Sequence, residues 1–83
     1  MQQSEFLTSD YFTAAAVSIL LDILPTYRPS GSKTLAVFPA SPAVYQAVND
    51  FNSGVSLNAM EFTAMVKTIR AEMISRRRPG APR

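Results

Sequence analysis

Five basic residues gathered near one end of the sequence, Lys67, Arg70, Arg76, Arg77 and Arg78, are the most concentrated chemistry it offers. On a continuous helix Lys67, Arg70, Arg77 and Arg78 fall close to one flank, displaced from an apolar stripe of Phe62, Val66, Ile69 and Met73. Such a row can follow a phosphate backbone, because each cation that neutralises a phosphate releases condensed counterions. Its plainer role is a solvated helix end whose positive charge complements the negative end of the helix dipole. From Lys67 onward six basic residues face the single acid Glu72, a balance of +5. Residues 1–66 hold Arg28 and Lys33 against Glu5, Asp10, Asp22, Asp50 and Glu61, a balance of −3. A slightly acidic body therefore carries a basic end.

Other chemistries fall away. With neither cysteine nor histidine there is no thiolate, no imidazole base and no Cys/His metal site. The acids stand singly, with no carboxylate pair spaced to hold a hard metal or to divide acid and base roles. A hydroxyl nucleophile would have only Lys33 or Lys67 as its base. Ser30-Gly31-Ser32-Lys33 lacks the first glycine of a phosphate loop and joins two predicted strands, so it reads as a hairpin turn. No enzyme, cofactor, metal or small-molecule substrate is expected. Tyr27, Phe38 and Tyr45 are the aromatics best placed to stack bases, but without basic–aromatic alternation core packing accounts for them better. Met60, Met65 and Met73 share the last predicted helix; Met65 and Met73 fit its core stripe, and methionine also suits adaptable interfaces.

The elements that must position these residues follow from periodicity and punctuation. Glu5–Thr8 is short and β-compatible, and Ser9 can cap a helix from Asp10 to about Leu21. Phe12, Ala15, Ala16, Ile19 and Leu20 fit the helical period, while Tyr11, Val17 and Leu21 widen the apolar stripe until little but Thr13 and Ser18 is polar. That helix must be covered nearly all round, either between a sheet and another helix or by a second subunit. Pro25 and Pro29 predict an edge strand over residues 23–27, Ser30-Gly31-Ser32 the turn, and Lys33–Phe38 a strand for the middle of the sheet. Ser41 and Pro42 start a helix with Val44, Tyr45, Val48 and Phe51 inward, ended by Asn52-Ser53-Gly54. Asn58 and Glu61 have the spacing of a capping box for a helix from Ala59 to about Ser75. The proline-containing end cannot extend it.

The order β-α-β-β-α-α, with Phe6-Leu7-Thr8-Ser9-Asp10 leading into an apolar helix and Phe51-Asn52-Ser53-Gly54 followed by Val55, Phe62 and Lys67-x-x-Arg70, resembles a small uncharacterised domain family of bacteria and phages. The likeness spans roughly residues 5–74. It departs from the family's pattern at Pro25, Pro29 and the Arg76-Arg77-Arg78 tail. No motif in it is chemically specific and the family has no established activity, so the resemblance implies a fold.

The expected fold class is α+β: one small domain over residues 1–75, with a mainly antiparallel sheet of about three strands covered on one face by helices, and a basic tail over 76–83. Eighty-three residues leave no room for a second domain, and 47% hydrophobic against 17% charged residues excludes a disordered chain. Phe12–Leu24, the longest apolar stretch, is interrupted by Asp22 and falls short of the roughly 20 residues that cross a bilayer. Met1–Ser9 lacks the basic start of a signal peptide, so a cytoplasmic protein without membrane contact is expected. The leading functional expectation is a non-enzymatic binding or accessory module that docks on a larger macromolecular assembly, as a phage or mobile-element protein would. Its expected partner is a larger protein or a second copy in a homo-oligomer. Nucleic-acid binding through the basic helix end is the runner-up, and a structural assembly subunit is third.

Overall fold

A computed structural model describes residues 5–76, which run β1 (Glu5–Thr8), α1 (Tyr11–Leu21), β2 (Thr26–Ser30), β3 (Lys33–Pro39), α2 (Pro42–Asn52) and α3 (Ala59–Ser75). The strands form one antiparallel sheet in the order β1-β3-β2, so the α+β class and the expected element order both hold. Strand β3 is central, as its apolar run Leu35–Phe38 predicts.

Local chemistry fixes most boundaries. Ser41 caps α2 by accepting from the Val44 N–H at 3.2 Å, and Pro42 follows where its missing N–H costs nothing. At the far end of α2 the Gly54 N–H donates to Phe51 and the Val55 N–H to Asp50, the paired bonds of a Schellman motif. Gly54 adopts φ +93, a conformation that closure needs and L side chains rarely take. Asn58 caps α3 by accepting from the Glu61 N–H at 2.9 Å.

Two boundaries differ from expectation. The cap of α1 is Asp10, not Ser9: its carboxylate accepts from the Phe12 N–H and the Thr13 hydroxyl, while its own N–H is held by the Thr8 hydroxyl. The carboxylate presents a separate charged oxygen to each donor, Oδ1 to the Phe12 N–H and Oδ2 to the Thr13 hydroxyl, at the positive end of the helix dipole. Strand β2 lies three residues later than expected, over Thr26–Ser30, because Asp22 enters the left-handed region (φ 55) and ends α1. Residues 22–25 are then needed to bring the chain back to the sheet. The hairpin closes on the Ser30–Lys33 pair across Gly31-Ser32, with Gly31 at φ +65 and Ser32 not at positive φ, the pattern of a type II′ turn. Pro29 has no N–H for the ladder, so Ser30–Lys33 must be the hydrogen-bonded pair and Pro29–Thr34 the non-bonded one. Proline is therefore tolerated, on an edge strand, as predicted.

The core lies between the sheet and the helices. Ala36 and Phe38 of β3 meet Ala14, Ala15 and Val17 of α1, Val44 and Ala47 of α2, and Ile69 and Met73 of α3. Every residue from Ala14 to Ser18 is buried, so the middle of α1 is covered on all sides, while Phe12 in its first turn is 53% exposed. Of the two coverings its composition allowed, the chain itself supplies one for the middle of the helix. On α2 Val44 turns inward as expected and Ala47 joins it, while Tyr45, expected inside, is 52% exposed against Phe6.

Candidate functional site

Helix α3 and its C-cap carry three of the five candidate basic residues within the described region, and the helix parts them. Lys67 and Arg70, three residues apart, are exposed on the outer side of the helix. Arg76, nine residues beyond Lys67, comes out on the opposite side of the helical wheel. There its guanidinium lies 4.9 Å from the centre of the Tyr27 ring on β2, and its Nε donates to the Glu72 carboxylate at 3.0 Å. Burial holds the Tyr27 hydroxyl above its ordinary pKa; Glu72 adds to the rise and Arg76 opposes it. Arg76 is thus stacked and ion-paired where the sequence suggested a phosphate contact. The continuous helix that would align Lys67 and Arg70 with Arg77 and Arg78 ends at Ser75, and Arg77 and Arg78 lie outside the described residues.

A second pattern on α3 escaped the sequence reading. Its inner stripe is Phe62, Val66, Ile69 and Met73, as expected, with Ile69 and Met73 buried. Met60, Ala64, Lys67, Ala71 and Ile74 repeat the alternating four- and three-residue step on the outer side. At 100° per residue all five fall within about 40° of Met60. All are exposed, Met60 to 82% and Ile74 to 39%. The first turns of this face form a shallow recess of about 390 Å³ lined by Ala59, Met60, Thr63, Ala64 and Lys67. Arg70 borders the stripe, and the helix's acids Glu61 and Glu72 lie about 100° or more away from Met60. The spacing was legible in the sequence, but Lys67 at its centre and two alanines beside it drew attention to charge.

The remaining candidates separate cleanly. Phe38 is 1% exposed and packs 6.5 Å from Phe6, so it is core. Tyr27 is covered by Arg76, and Tyr45 alone of the three aromatics presents a largely exposed ring. Met65 and Met73 pack in the core, leaving Met60 as the outward methionine of α3. On the sheet face away from the helices, Arg28 of β2 reaches Glu5 of β1 across the central strand, with both guanidinium nitrogens 2.8 Å from carboxylate oxygens. The hydrogen bonds from Arg28 hold the Glu5 carboxyl below its ordinary pKa. No pattern of adjacent residues marks this pair in the sequence, because strand order alone brings the two edges together.

Among the described residues no three acids converge as they would around a metal ion, and no helix is long and apolar enough to cross a membrane. Comparison with family models, curated proteins and solved structures finds no match to this chain.

Proposed function

We propose that the protein is a non-enzymatic binding module that docks on a larger protein through the outer face of α3. The observation that carries this reading is Met60, 82% exposed at the head of a stripe that continues through Ala64, Lys67, Ala71 and Ile74. Small side chains let a partner approach the helix closely, and methionine adapts to an irregular surface. Lys67 sits within the stripe and Arg70 beside it, and neither forms an ion pair among the described residues. The complementary surface is accordingly apolar at its centre and acidic at its rim. An accessory protein that acts by occupying a site on an assembly needs no more chemistry than this.

Site-specific photocrosslinking tests the reading. A crosslinker at position 64 should capture one protein, capture should fall at least tenfold in Lys67→Glu, and the same crosslinker at exposed position 49 on α2 should capture none. Equal capture from both positions overturns it. Capture of a second copy makes the face a self-association surface, and salt-sensitive capture of nucleic acid, losing a slope of about 0.9 per phosphate contact when Lys67 or Arg70 is replaced, restores the runner-up.

A further inference from the structure

Strand β1 stops before β3 does, and the difference strands the polar groups of one residue. Since Ser30–Lys33 is a hydrogen-bonded pair, alternation makes Pro29–Thr34 a non-bonded pair on the β2 side. The N–H and C=O of Thr34 must then point to the opposite side, towards β1. Strand β1 ends at Thr8, which pairs with Ala36, so no strand residue stands opposite Thr34. The next candidate, Asp10, turns its N–H to the Thr8 hydroxyl and its carboxylate to the cap of α1. The Thr34 side chain shares this condition. Thr34 is 5% exposed, and its Oγ1 is buried without a hydrogen-bond partner among the described residues. Buried polar groups in folded proteins are nearly always paired, so a residue whose backbone edge has no strand opposite it and whose hydroxyl has no partner among the described residues requires an explanation.

The explanation lies in what adjoins it. A cleft of about 150 Å³ opens where β1 has ended, lined by Ser9, Tyr11, Lys33, Thr34 and Met73. That is several times the roughly 30 Å³ share of one water molecule. A strand edge offers a donor and an acceptor side by side, so its complement must offer an acceptor and a donor side by side. A simple anion satisfies the N–H and is repelled by the C=O. The geometry points to this cleft as a receptor for an amide edge, either the carboxamide of an Asn or Gln side chain or one extended residue of peptide backbone. The Ser9 and Tyr11 hydroxyls, each able to donate or accept, suit such a ligand, and the Met73 side chain supplies an apolar floor. This mode resembles strand addition cut down to a single residue: backbone bonds supply attraction and the cleft limits size. It is independent of the α3 face, so either can fail without the other.

The test is a nuclear magnetic resonance titration of the full chain with small probes. Acetamide presents the side-chain edge, and N-acetylglycine N-methylamide presents the backbone edge. One of them should shift the amide signals of Ser9, Tyr11, Lys33 and Thr34 saturably, and the stronger of the two identifies the source. N,N-dimethylacetamide, which lacks the N–H, should shift them at least fivefold less at equal concentration, as should acetate. Ser9→Phe, which places a ring in the cleft from an exposed position, should reduce the response at least tenfold. Thr34→Pro removes the N–H without touching the β2 ladder and should abolish it; if that variant does not fold, Ser9→Phe and the wild-type comparison decide. Equal or stronger response to acetate or inorganic phosphate would make the cleft an anion site, and no saturable response to either amide would leave it an ordinary crevice. Both results overturn the assignment.

Discussion

Helices α1 and α3 carry the same sign in the sequence, apolar residues on more than one side, and the fold treats them oppositely. In α1 the run Ala14–Ser18 is buried at every turn of the wheel, with α2, α3 and the sheet around it. In α3 only the Phe62–Met73 side is covered, and the Met60–Ile74 side is left open. The difference teaches that an apolar circumference does not by itself call for a second chain. Residue size decides where the covering comes from. Three consecutive alanines in α1 let its neighbours approach closely enough to enclose it, whereas α3 lies on the outside of the helical layer with only one face turned inward.

The largest effect that would break the comparison is a truncation on each side of α3. Ile69→Ala, at a residue with no exposure, should cost about 2–5 kcal/mol, a large share of the stability of so small a domain. Met60→Ala should stay within about 0.5 kcal/mol. Urea melts of the two variants measure both, and a comparable loss in each would mean that the outer face is packed in solution. A smaller effect sharpens the picture of α1. Ser18 is 2% exposed and its hydroxyl has no partner among the described residues, so Ser18→Ala should stabilise the protein by about 1 kcal/mol, seen as a raised melting temperature. A loss instead would show that the hydroxyl bonds within the helix enclosure.

The smallest effect concerns pH. Arg28 lowers the Glu5 pKa in the folded state, so the contribution of this pair is fully present above the unfolded value of about 4.3 and is lost as pH falls through the folded value. Both side chains are largely exposed, which keeps the contribution small. Melting temperatures of wild type and Glu5→Gln should differ slightly at pH 7 and converge at pH 3, and divergence towards low pH would contradict the assignment.

Much of this architecture was legible because it is local. Ser41-Pro42, Asn58 with Glu61, and Asn52-Ser53-Gly54 each state a helix boundary within a few residues, and Pro25 and Pro29 state an edge. What was not legible depends on tertiary placement. The double service of the Asp10 carboxylate to Phe12 and Thr13 could be read only once Thr8 had fixed the approach of the chain. The position of β2 was missed because Asp22 ends α1 in a conformation more often assigned to glycine. Tyr45 and Ala47 flank the Val44–Val48 stripe on opposite sides of the α2 wheel, and the core takes the Ala47 flank while Tyr45 packs edge-on to Phe6 at the surface. At the candidate site the charges of Lys67 and Arg70 were visible, but the capture of Arg76 by Tyr27 joins residues far apart in sequence.

The guanidinium–carboxylate fork between Glu5 and Arg28 has a kinetic meaning. Strands β2 and β3 meet through a two-residue turn and close early, because little chain entropy is lost. Strand β1 reaches β3 only after α1, β2 and the turn between the hairpin strands have been spanned, a slow, non-local closure. Arg28 belongs to the local hairpin and Glu5 to the non-local strand, and the two meet in the register that sets Phe6 opposite Phe38. A slip of one residue would turn Glu5 to the helix side of the sheet, away from its cation and into the apolar layer. The pair therefore favours the native register of this non-local strand over a one-residue slip, a selectivity that its small share of native stability does not measure.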